Sequence, residues 1–204
     1  MNKELFQKYL AVKAFYETPA VKKRLESEDT VRGAFELAYF DMQRTLKGIG
    51  KNPNNNNIKQ KVFEIIYQFY DDVSKNFEFY SLRDYDGSIG IIFNEIISSS
   101  AELGHKFTVG QAQKVTNMFF KYMLLVDERL NIHLNYFHVP FDSVILNGLM
   151  SKEYSAEIRT YAKECTPWSK MKDFKHYMEL QDALRDLYEY PIIFEFDVWN
   201  KWKP

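Results

Sequence analysis

The chain has 204 residues, of which 46% are hydrophobic and 17% aromatic, with 17 Phe and 14 Tyr. That is enough apolar material for one sizeable core, so a single domain over residues 1–204 with little disorder is expected. The formal net charge is −1, where a nonspecific nucleic-acid binder carries a clear positive excess, and the one cysteine, Cys165, excludes a disulfide framework, a Cys-rich zinc site and a four-cysteine iron–sulfur cluster within one chain.

Only 8 Gly and 6 Pro are present, too few turn residues for most sheet-rich folds, so the composition points to helices. A lone cysteine fits a reducing, cytoplasmic setting. The opening MNKELFQKYLAVKAF scatters charge and has no cleavable apolar core, so no secretory signal is expected. No run approaches ~18 uninterrupted apolar residues, so no membrane contact is expected either.

Residues 3–16 read as a helix, with Phe6, Tyr9, Leu10 and Lys13 marking one face. Thr18-Pro19 reads as a cap followed by proline at the first helical position, opening a short helix to about Leu25. Thr30 to Lys47 forms the next, with Val31, Phe35, Ala38 and Met42 at helical spacing. GIGKNPNNNN, residues 48–57, is the clearest loop, a surface excursion punctuated by glycine, proline and asparagine. Asn57 is placed to cap a helix whose stripe is Val62, Ile65, Ile66, Phe69 and Val73. SLRDYDGS reads as a break, and Ile91 to Leu103 as a further helix, apolar at Ile92, Ile96 and Ile97.

The stretch from His105 to Asn147 carries the chemistry. Thr108-Val109-Gly110-Gln111 has the capping-box pattern, and the helix it opens turns Val115, Met118, Phe119 and Tyr122 to the core. Lys114 and Lys121 lie a heptad apart on a different face. From Gly104 to Met123 there are three lysines and no acid, and a helix start of that kind suits an anion. Farther on, Pro140-x-Asp142 precedes VILN and is good capping grammar for a helix beginning at Ser143. Tyr154 to Lys163 reads as a short helix. Thr166-Pro167 looks like another cap and start, and Ser169 to Tyr188 is a long amphipathic helix. The tail PIIFEFDVWNKW alternates like a strand, but in an all-helical context a helix from Pro191 is preferred. The expected fold is all-α, one globular multi-helix domain.

G-Q-A-Q-K-V-T-N resembles the second half of the hairpin in helix-hairpin-helix DNA glycosylases, whose usual form is L-P-G-V-G-x-K-x-A. Gly110 falls on the first glycine and Lys114 on the catalytic lysine. V-P-F-D-S-V-I-L resembles that family's P-V-D-x-H-V segment and sets Asp142 on the catalytic aspartate. Ala112 replaces the second glycine, and Val144 the histidine. The resemblance implies a glycosylase-like all-α fold, no cofactor, and double-stranded DNA as partner. Thr108, Gly110, Gln111, Lys106 and Lys121 would grip the backbone, and the target base would be flipped out of the stack. Asp142 would stabilise the oxocarbenium-like state. Lys114 would attack C1′, and the resulting Schiff base would permit strand cleavage, an AP-lyase step. Gln181 and Trp168 would read the flipped base.

Each residue also has a structural reading. Lys114 can be a solvated residue of an amphipathic helix, Asp142 a cap, Gln181 a satisfied core amide and Trp168 core packing. Taken together these describe a noncatalytic protein-interaction or regulatory domain with a protein partner. His105, His133, His138 and His176 make no H-E-x-x-H motif, so no metal site is expected. Lys170, Lys172 and Lys175 read as a solvated basic edge, Asp71-Asp72 and Asp84/Asp86 as acidic pairs without a second motif.

Overall fold

The structure is a computed structural model and describes residues 19–26 and 29–202. The helix expected over residues 3–16 and the cap at Thr18 lie outside them. Nine α-helices follow one another among the described residues, with no strand. They are α1 (Pro19–Leu25), α2 (Thr30–Gln43), α3 (Asn55–Asn76), α4 (Leu82–Glu102), α5 (Val109–Met123), α6 (Ser143–Leu149), α7 (Ala156–Glu164), α8 (Phe174–Leu187) and α9 (Pro191–Trp202). No helix among the described residues is long and apolar enough to cross a membrane.

Local chemistry explains most boundaries. Asp29 caps α2 by accepting from Arg32 N–H, and the helix stops at Gln43, a turn short of the expected Lys47. The asparagine run is not all loop: α3 begins at Asn55, two residues before the expected cap at Asn57. Asn52 and Asn54 instead donate their side-chain amides to Leu103 O and tie the loop down. SLRDYDGS is a helix start rather than a break. Ser81 and Asp84 form a full capping box, and α4 then runs unbroken to Glu102 through Gly87 and Gly90. Gly90 is there for packing, because a Cβ would sit 3.2 Å from the Phe174 ring.

A tight hairpin joins α4 to α5. Gly104 takes φ +84°, His105 N–H reaches Ser100 O and Gly104 N–H reaches Ala101 O, the paired bonds that close a helix on a left-handed residue. Thr108 and Gln111 then form the expected capping box of α5. Ser155 caps α7. Thr166-Pro167 does not open a helix: a 3-10 turn at Trp168–Lys170 intervenes, and Asp173 caps α8 at Phe174. The tail is helical, as preferred over the strand.

The helix α5 is the axis of the molecule. It packs on α2 and α4 and on the Trp168–Lys170 turn, and every residue from Val109 to Met123 is buried. One continuous core of Phe, Tyr, Ile and Leu side chains surrounds it. Farther along the chain α7 packs on α8, and α6 packs on α9.

Candidate functional site

A helix buried on all sides must partner its own polar side chains, because an unpaired buried polar group costs several kcal/mol. Six such residues on α5 are Gln111, Gln113, Lys114, Thr116, Asn117 and Lys121. Thr116 Oγ1 has no hydrogen-bond partner among the described residues, but the other five reach groups far away in sequence, and these assemble the candidate site.

Lys114 Nζ donates to Asp142 Oδ2 at 2.9 Å across a separation of 28 residues. Both side chains are 4% exposed. The other oxygen of Asp142 accepts from Val144 and Ile145 N–H at 2.9 and 3.0 Å, so Asp142 is also the cap of α6. Burial alone would push its carboxyl up; the Lys114 charge and the helix N–H groups outweigh burial and hold it below the usual carboxylate range. Lys114 is therefore no solvated helix residue. It is half of an internal ion pair.

What carries Asp142 to Lys114 is a pair of glutamines that sequence reasoning did not group. Gln113 brackets Phe141, accepting from its N–H at 3.1 Å and donating to its carbonyl at 2.7 Å. Gln181 brackets Val139 in the same way, at 3.0 and 2.8 Å. Two side-chain amides thus imitate the two edges of a strand ladder and grip alternate residues of the extended 137–142 segment. Asn117 adds a bond to Tyr177 Oη at 2.9 Å. Gln181 is spent on backbone and is 1% exposed, so it serves here as a strut and not as a reader of a flipped base. Trp168 lies in the core.

A second pair lies one heptad along. Lys121 pairs with Glu195 of α9, with side chains 3% and 0% exposed. Burial lowers the Lys121 amine and raises the Glu195 carboxyl, in each case against the partner's opposing charge. Both directions say that desolvation dominates this pair. Glu195 Oε1 has no hydrogen-bond partner among the described residues.

The residues assigned to DNA contact are used internally. Gly110 N–H donates to Met171 O at 3.0 Å, and a Cβ on Gly110 would lie 1.6 Å from Trp168 O. The glycine admits the Trp168–Met171 backbone against the start of α5. Thr108 Oγ1 donates to Ser169 O, and Gln111 Nε2 reaches Thr45. Lys106 alone of this group is exposed. Lys170, Lys172 and Lys175 form the solvated edge that their spacing suggests. Two surface hollows are lined by Lys47, Lys51, Asn54 and His105 and by Ile91, Ile97 and Lys106, and neither includes Lys114 or Asp142.

Tyr177 links this centre to a third buried cluster. Its hydroxyl donates to His138 Nδ1 at 2.6 Å, and His138 Nε2–H donates to Asp86 Oδ1 at 2.7 Å, which fixes the tautomer. Arg185 closes the chain with bonds to both Asp86 oxygens at 2.8 and 2.9 Å. Burial, helped by the Arg185 charge and opposed by Asp86, pushes the imidazole down to about 4. A histidine lowered in the folded state stabilises fully above its unfolded value and loses that contribution as pH falls towards the folded one. Unfolding followed by urea from pH 7 to pH 4 is thus expected to show a loss approaching about 3 kcal/mol between pH ~6.5 and ~4. His138→Gln should flatten the profile in that window; coincident profiles would exclude His138 as the titrating group.

Comparison with protein-family models, with characterised proteins and with solved structures returned no match to this chain.

Proposed function

We propose that this chain is a noncatalytic all-α domain that acts by protein contact at its surface. The observation that carries this reading is that the groups a glycosylase would use are already occupied. Lys114 is ion-paired, Asp142 is bonded through both oxygens, and the Gly110 N–H is closed off by Met171. A lysine nucleophile needs a free lone pair, and a glycosylase needs room beside it for a sugar and a flipped base. Phe40, Phe79, Ile91 and Ile132 stand more than half exposed, which supplies apolar anchors for a protein partner.

A second reading, a base glycosylase of the helix-hairpin-helix type, is favoured by one observation. The amine and the carboxylate singled out by the resemblance do meet, at 2.9 Å. Under it the centre opens when DNA binds. Incubation with duplexes carrying abasic sites or damaged bases, with borohydride trapping and an assay of base release, separates the two. The first reading expects neither an adduct nor released base. An adduct lost in Lys114→Gln, or base release lost in Asp142→Asn, would overturn it in favour of the second.

A further inference from the structure

We propose that Glu164, His176 and Glu179 form a binding site for a zinc-class divalent cation that bridges α7 and α8. One ligand atom from each, two carboxylate oxygens and an imidazole nitrogen, lies within 4.8 Å of the other two. Around zinc at ~2.0–2.2 Å, neighbouring donor atoms sit roughly 3–3.5 Å apart, so small side-chain rotations close the shell.

The helices deliver these groups for identifiable reasons. Glu164 is the last residue of α7, and the next residue, Cys165, is buried and directs its Sγ at His176 O, 3.5 Å away. That contact sets the end of α7 beside the first turn of α8. His176 and Glu179 are three apart on α8 and share a face, at the edge of the buried stripe that Tyr177 and Leu180 hold in the core. Asp173 Oδ2 lies 3.9 Å from His176 Nε2, a nearby negative charge beyond hydrogen-bond distance.

Two carboxylates this close supply the negative charge that a cation between them would neutralise. Lys175 pairs with Glu179 at 3.4 Å, but its side chain is 77% exposed, so the pair contributes little and yields to a chelated ion. The imidazole selects zinc and its neighbours over magnesium and calcium, which prefer all-oxygen shells. Positions left open on the ion are free for water. Motif spacing does not expose this site, because its first ligand comes from a different helix.

The test uses the full chain, stripped of metal with chelator and titrated with ZnCl2 by calorimetry and thermal denaturation. One equivalent is expected to bind and to raise Tm, and affinity should fall roughly tenfold or more in His176→Ala and in Glu164→Gln/Glu179→Gln. MgCl2 at the same concentration should leave Tm unmoved. All three side chains are at least partly exposed, so the variants keep the fold, which far-UV circular dichroism checks. No zinc binding, equal binding by His176→Ala, or an equal response to Mg2+ would overturn the assignment.

Discussion

Lys114→Met is expected to lower the unfolding free energy by about 3–5 kcal/mol, because it strands a buried carboxylate. The amine is the only lysine bonded to Asp142 among the described residues, and the pair is 4% exposed on both sides. Asp142→Asn strands the Lys114 ammonium instead and should also destabilise, although asparagine still caps α6 through its carbonyl oxygen. Combining the two removes the stranded charge. The double variant is therefore expected to lose less than the sum of the single losses, by roughly 1–3 kcal/mol of coupling. The Lys121–Glu195 pair should behave differently. Desolvation dominates both partners, so Lys121→Met/Glu195→Leu is expected to be neutral or stabilising by about 1–4 kcal/mol, while Glu195→Leu alone destabilises. Urea unfolding of the five proteins checks the set. Additive losses across Lys114 and Asp142 would mean that the two do not interact.

Gly110→Ala is the second large effect. A methyl group there would sit 1.6 Å from Trp168 O and 2.7 Å from its carbonyl carbon, and both are backbone atoms with no rotamer to turn away. Alanine is otherwise favoured over glycine inside a helix by about 1 kcal/mol. The clash must therefore outweigh propensity, and a net loss of roughly 3 kcal/mol or more is expected, with the Trp168–Lys170 turn displaced. Tryptophan fluorescence in a Trp199→Phe/Trp202→Phe background and urea unfolding report the two parts. A variant as stable as the parent would show that this turn does not rest on α5.

The same glycine shows what could and could not be read from sequence. Helix starts were legible where a side chain speaks to its own backbone: Thr108 with Gln111, Asp142 before Ser143, and Pro191 for the last helix. SLRDYDGS misled because its glycine and aspartates look like a turn. The Ser81–Asp84 box and the fit of Gly90 against Phe174 make it a helix. Lys114 and Asp142 were legible as a pair through the resemblance, and they meet. Their burial was not legible, because periodicity assigns a polar face to water. On α5 that face is answered instead by groups 28 and 74 residues away. Gln181 was legible as an amide on an apolar stripe that needs a partner, but not its partner Val139, and Gln113 carried no signal, since glutamine on a helix looks the same whether it meets water or a loop backbone. The glycosylase-like subtype of the all-α fold rests on the motif, not on the packing.

Lys114 and Asp142 form a closed internal pair. Competitive labelling of lysines in the native chain by an amine-reactive reagent, read by mass spectrometry, probes that closure. Lys106, Lys170 and Lys172 are exposed and should react readily, while Lys114 and Lys121 should stay unmodified until urea unfolds the protein. Labelling of Lys114 in the folded protein at the rate of Lys106 would contradict the account and return Lys114 to the role of an accessible nucleophile.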